Sequence, residues 1–307
     1  MLRIGLLTTV LLLNLPALVC ADTGDTVEPA TLWTAWNFDL LVLFNLSLLG
    51  WFYGRGVQRL WRKAGIGRGV SRGQTIAFFA SFIAVMAALL SPLDALSAEL
   101  ASAHMVQHML LMVVAAPLFA IATPGLVLTW GLARRWRSSL GNLRRLLDAD
   151  FLRRPLLPWL LYASSLWIWH LPVFYEAALS DPLLHDAQHL SFFVSASLFW
   201  RALLVPLHRI HRHPEQALIS LFSTWLHATL LGIFMTLSPA VWYEVYAGRT
   251  EVWGLTPHED QQLAGLIMWM PSCLIFPAVA AVGFGQWLTA NAARDSRSCL
   301  QPLRGTE

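Results

Sequence analysis

Residues 104–122 read H-M-V-Q-H-M-L-L-M-V-V-A-A-P-L-F-A-I-A. His104 and His108 stand four apart, so on a helix they share one face and can turn toward one ion or one hydrogen-bonding cavity. From Leu110 to Ala122 only Pro117 interrupts the apolar run, which makes this a membrane helix rather than a soluble one. Imidazoles at the head of such a run are expensive in lipid, and polar groups there tend to be functional. The spacing recurs at His185 and His189, where another helix begins.

The rest of the chain has the same character. Of its 307 residues, 56% are hydrophobic and 13% charged, which excludes a water-soluble domain and predicts an all-α, polytopic membrane helix bundle. A net charge of +3 gives no ground for a nucleic-acid partner; the partner implied is the lipid bilayer. Cys20, Cys273 and Cys299 are scattered, so neither a disulfide framework nor a thiolate metal motif follows.

Arg3, the apolar stretch from Ile4 to Val19 and the small residues Cys20 and Ala21 have the layout of a secretory signal peptide, expected over residues 1–21. Residues 22–32 form a short acidic external segment. Seven transmembrane helices are then expected within 33–285, at about 33–53, 74–90, 103–127, 156–170, 185–204, 217–237 and 262–282. Residues 286–307 read as a disordered cytoplasmic tail. Most of the 21 Lys and Arg gather in alternate connections and the tail, the positive-inside bias that places those connections in the cytoplasm. After signal cleavage the N-terminus lies outside. The opposite connections are acid-rich, a surface that favours cations over anions at its mouth.

On that topology His104, His108, His170, His185 and His189 all fall at the outer membrane face. Neutral imidazole ligates copper, zinc, iron or nickel, and two pairs from two helices offer four nitrogens to one centre. Met105, Met109 and Met268 are candidate soft ligands, a preference toward Cu(I). His227 sits deeper in the sixth span. Asp39, inside the first, is either a carboxylate orienting an imidazole or a cap near the interface. Asp260 approaches the head of the seventh span, beside Gln261 and Gln262. His208, His211 and His213 lie among arginines at the headgroups and are set aside.

Several chemistries are excluded by pattern. A zinc protease needs H-E-x-x-H, and Met105 occupies the position of the glutamate; no C-x-x-C, phosphate-binding loop or C-x-x-C-H haem attachment motif occurs. Haem b stays open, because two helices each offering one histidine can clamp an iron axially.

The blocks H-M-V-Q-H-M-L-L with Pro117 and Pro124, W-I-W-H-L-P at Trp167–Pro172, H-D-A-Q-H at His185–His189 and D-Q-Q-L-A-G-L-I-M-W at Asp260–Trp269 resemble the CtaG-type family of seven-span cytochrome c oxidase assembly factors. The family pattern falls on His104, Gln107, His108, His170, His185, His189, Asp260, Gln261 and Gln262. The resemblance implies a non-enzymatic protein of the bacterial inner (plasma) membrane that helps to build a haem-copper oxidase, delivering or holding copper for an oxidase subunit.

The expectation is therefore a copper site with His104, His108, His185 and His189 as ligands. His170 and Asp260 would be ligands or outer partners, with Gln107 and Gln261 hydrogen-bonded to the ligands. The alternatives are a haem-binding redox protein, a cation or proton transporter using Asp39 and His227, and a scaffold whose histidines only tie helices together.

Overall fold

Asp39 opens the first long helix of the chain, its carboxylate accepting from the amides of Leu41 and Val42 at 2.7 and 3.0 Å. The computed structural model describes residues 27–133, 152, 154–204 and 214–299. The expected signal peptide, most of the basic stretch after the third span, the His208–His213 turn and the last eight residues lie outside the described residues. Helix α1 is Leu40–Ala64, closed by Gly65 at φ 96°. Helix α2, Arg72–Leu89, begins with a capping box between Ser71 and Gln74, which satisfies two amides a helix start leaves open. A short helix α3, Pro92–Ser97, follows.

Helix α4, Ala101–Ala122, carries the first histidine pair. Its middle, Leu110–Ala115, widens into a π-helix just before Pro117. Proline has no N–H and its ring crowds the preceding turn, so the ladder must rearrange there. In lipid the carbonyls so released need other donors. The Trp200 indole N–H reaches Met112 O at 2.9 Å, and the Ser81 hydroxyl reaches Ala115 O at 2.8 Å. The helix ends at Thr123, the one described non-glycine residue with positive φ, and Pro124 starts helix α5, Pro124–Gly131. The expected third span, 103–127, is thus a helix, a break and the start of a second helix. Arg59 of α1 donates to the carbonyls of Trp130, Gly131 and Leu132 and closes α5.

Helix α6, Leu156–His170, breaks at Leu171 and gives way to helix α7, Pro172–Ser180; helix α8 is Pro182–Leu204. Helices α9, Pro214–Leu237, and α10, Pro257–Cys299, make the closest pair. Gly232 and Gly265 face each other across it, and a methyl on Gly265 would lie 2.6 Å from Gly232 O. No strand occurs among the described residues.

Five described helices are long and apolar enough to cross a membrane: α1, α2, α4, α9 from Gln216, and α10 to Thr289. The other two expected spans differ for separate reasons. Helix α6 has 15 residues, about 22 Å against a hydrocarbon core of about 30 Å. Helix α8 has 23 residues but carries His185, Asp186, Gln188, His189 and Arg201. Two boundaries also moved. The first helix starts at Leu40 rather than 33, and residues 286–299, expected to be disordered, continue α10.

Two apolar cores result. The smaller joins α1, α2 and α5 around Tyr53, Phe78 and Val127. The larger joins α4, α6, α8, α9 and α10 around Phe192, Phe199, Trp200 and Phe276, and its upper end holds the histidines.

Candidate metal centre

Asp260, on the first turn of α10, sets the rotational phase of α4. Its carboxylate accepts from Ala101 N at 2.7 Å, from Ser102 N at 3.1 Å and from the Ser102 hydroxyl. Leu100, at the N-cap, offers no side-chain acceptor to those amides, so a carboxylate from another helix takes that place. With its first turn held to α10, α4 turns His104 and His108 into the bundle.

Their partners arrive from two other helices. His170 is the last residue of α6, while His185 and His189 lie in the first turns of α8. The His104 and His108 rings are 4.3 Å apart, centre to centre, and those of His185 and His189 also 4.3 Å. Across the helices His104 lies 5.2 Å from His185 and 5.7 Å from His189, and His108 lies 5.4 Å from His189 and 5.7 Å from His170. One ring nitrogen from each of His104, His108 and His189 falls within 4.8 Å of the other two.

Five histidines therefore meet. Four of them are at most 5% exposed, and His185 is half-buried.

Their nitrogens are left open. His104 Nε2, both ring nitrogens of His108, and Nε2 of His170, His185 and His189 are buried without a hydrogen-bond partner. Each such atom costs about 1–3 kcal/mol. A cation shared by these lone pairs would recover that loss, so the donor set fits a compact ion.

Two of the tautomers follow from the hydrogen bonds. His170 Nδ1 lies 2.7 Å from Leu166 O, which can only accept, so Nδ1 carries the proton and Nε2 the lone pair. The Tyr246 hydroxyl donates to Ser97 O at 3.1 Å and has no second proton to give. Its oxygen accepts from His104 Nδ1 at 3.3 Å and faces the Tyr175 hydroxyl at 3.1 Å, so the open Nε2 of His104 likewise holds a lone pair. These tyrosines form a cover. Tyr175 stacks on Tyr243 at 3.8 Å, and Tyr243 donates to the backbone oxygen of His170 at 3.0 Å. Burial pushes all three phenols upward, so each keeps its proton at any physiological pH. Arg249, in the same connection as Tyr246, donates to Ala98 O at 2.8 Å and ties that connection to the head of α4.

Other residues singled out in the sequence lie elsewhere. Gln107 turns away from the rings and donates to Ala88 O and to Asp94, which is bonded to Asn37 in turn. Gln261 donates to Met235 O and Ala240 O and accepts from Trp242 N, and Gln262 pairs with His258. In place of the expected hydrogen bonds to the ligands, Gln107 is thus held by a backbone carbonyl and the Asp94 carboxylate, and Gln261 by backbone groups. Asp260 caps α4, and Asp39 caps α1. His227 is remote, packed near Trp159 and Tyr162 at 6.2 and 6.3 Å, with both nitrogens unpartnered. Met105 and Met268 are core side chains. Met109 lines a cavity of about 270 Å³ with Val106, Leu110 and Ile267.

Sequence reasoning missed the tyrosine cover and Gln188. The cover had a signal: three of the chain's five tyrosines stand at 175, 243 and 246. Gln188 lies within H-D-A-Q-H itself; it is fully buried and lies beside the His104 ring.

A family model described as cytochrome c oxidase caa3 assembly factor matches residues 51–290. No curated protein and no solved structure matches the chain.

Proposed function

We propose, from the premise that this chain belongs to the cytochrome c oxidase caa3 assembly factor family, that it holds copper at the five-histidine cluster and passes it to a nascent oxidase subunit in the same membrane. The observation that supports this reading is the approach, within 4.8 Å of one another, of buried ring nitrogens of His104, His108 and His189, with His170 and His185 packed against them. Copper is its cargo. Imidazole suits both oxidation states, and the absence of carboxylate or thiolate among the converging groups argues against a hard cation or a thiolate-type zinc site. A haem does not fit well. The rings touch one another and Phe192 at 4.6 Å, whereas an axially clamped macrocycle needs an open slot between its two ligands.

In this reading α6 and α8 complete seven crossings between the five apolar helices. Arg55, Arg59, Arg62 and Lys63 lie at the end of α1 remote from the histidines, so the positive-inside rule turns the cluster outward. The C-terminus is then cytoplasmic. Binding and release suffice for such work, and no turnover is required.

The test is metal analysis of protein purified in mild detergent after copper loading, beside the double variant His104→Ala/His108→Ala. Stoichiometric copper in the wild type, lost in the variant together with copper in the oxidase of the host cell, is expected. Copper-free wild-type protein, or a variant that still supports a copper-replete oxidase, would sink the reading.

A further inference from the structure

The five imidazoles offer more open nitrogens than one ion uses. Each neutral imidazole has one lone pair, so the five histidines offer five, and a copper ion takes three or four. They also lie in a row rather than around a point. His185 touches His104 and His189, these two touch His108, and His108 touches His170. One end of the row is the more open: His185 is half-buried beside the exposed Asp186, whereas the other four are at most 5% exposed. The nitrogens of His104, His108 and His189 already lie within 4.8 Å of one another and form the inner set, with His170 behind it. His185, its ring centre 5.2 Å from His104 and 4.3 Å from His189, stands against the same pair from the other side.

We propose that the cluster is a two-position relay, in which His185 receives the ion at the mouth and exchanges with His108 while His104 and His189 stay bound. This rests on the proposed copper-holding function and assigns separate tasks to its ligands. No electron or proton moves: one neutral imidazole leaves the ion as another joins it. Because the shared pair is kept throughout, the ion never falls below two nitrogens, and that lowers the barrier to entering and leaving a buried centre. His108 is suited to the exchange, because neither of its ring nitrogens is tied to the protein.

The test uses the full chain in detergent and Cu(I) supplied as a coloured chelate. Loss of chelate colour in stopped flow gives the loading rate, and equilibrium competition gives the affinity. In His185→Ala, loading and release should both slow by about tenfold or more, the effect of one lost contact at the barrier, with affinity within about threefold of wild type. His108→Ala should lose about 10–100-fold in affinity and keep the rapid first capture. His185→Met, which restores a soft donor at the mouth, should recover the rate. Equal losses of affinity in His185→Ala and His108→Ala would show one centre with four equivalent ligands and overturn the relay. A wild-type loading rate in His185→Ala would overturn it too. Wild-type protein that takes up no copper would instead remove the function on which the relay rests.

Discussion

The Tyr246 hydroxyl has one proton and three polar neighbours, and how they share it fixes which nitrogen His104 offers. Tyr246→Phe keeps the ring and its packing but leaves His104 free to take either tautomer. Loss of a partner that orients a ligating histidine lowers metal affinity by about 10–100-fold. Competition titration with a Cu(I) chelator should find a drop of that size, beside a loss of about 1–3 kcal/mol in stability from the Ser97 carbonyl left unpaired. Asp260 acts at the same scale on stability. In Asp260→Asn the side chain keeps its shape and loses the charge that strengthens its bonds to the head of α4. Bonds to charged groups contribute about 1.5–3 kcal/mol, so the unfolding midpoint in detergent should fall by several degrees. An unchanged midpoint would show that α4 is held by its apolar contacts alone.

Helix contacts decide where these side chains stand. The α9–α10 pair depends on two glycines whose backbones approach where any side chain would collide, a packing mode common in membranes. Gly265→Leu should push the two helices apart and, through Asp260 at the head of α10, disturb the phase of α4. Poor yield of folded protein or a broadened, lowered thermal transition is expected, and a wild-type melting curve would contradict it. The π-helical turn of α4 has a related dependence on its neighbours. Trp200 satisfies Met112 O, so Trp200→Phe leaves a carbonyl unpaired in an apolar setting. A loss of about 1–3 kcal/mol follows, to be read by the shift in the unfolding midpoint.

Across the molecule the basic end of α1, with Arg55, Arg59, Arg62 and Lys63, lies opposite the histidine cluster. Single cysteines placed at Glu251 and at Lys63, in a background free of native thiols, should separate under a membrane-impermeant maleimide applied to intact cells. Glu251, in the connection before α10, should label from outside, and Lys63, at the far end of α1, only after lysis. The reverse result would turn the histidines toward the cytoplasm.

The helical, membrane-spanning character follows from the sequence alone, because long apolar runs have only helices and closed barrels open to them in lipid. The two histidine pairs were equally legible, since spacing by four places both rings on one face. Local periodicity gives the face of a helix but not the helix opposite it. The meeting of α4, α6 and α8, the turning of Gln107 toward Asp94 instead of the rings, and the tyrosine cover depend on contacts between residues up to about 150 positions apart in the chain. Tertiary packing decided these, because the partner of a buried polar group is whichever donor or acceptor the lateral order of the helices brings within reach.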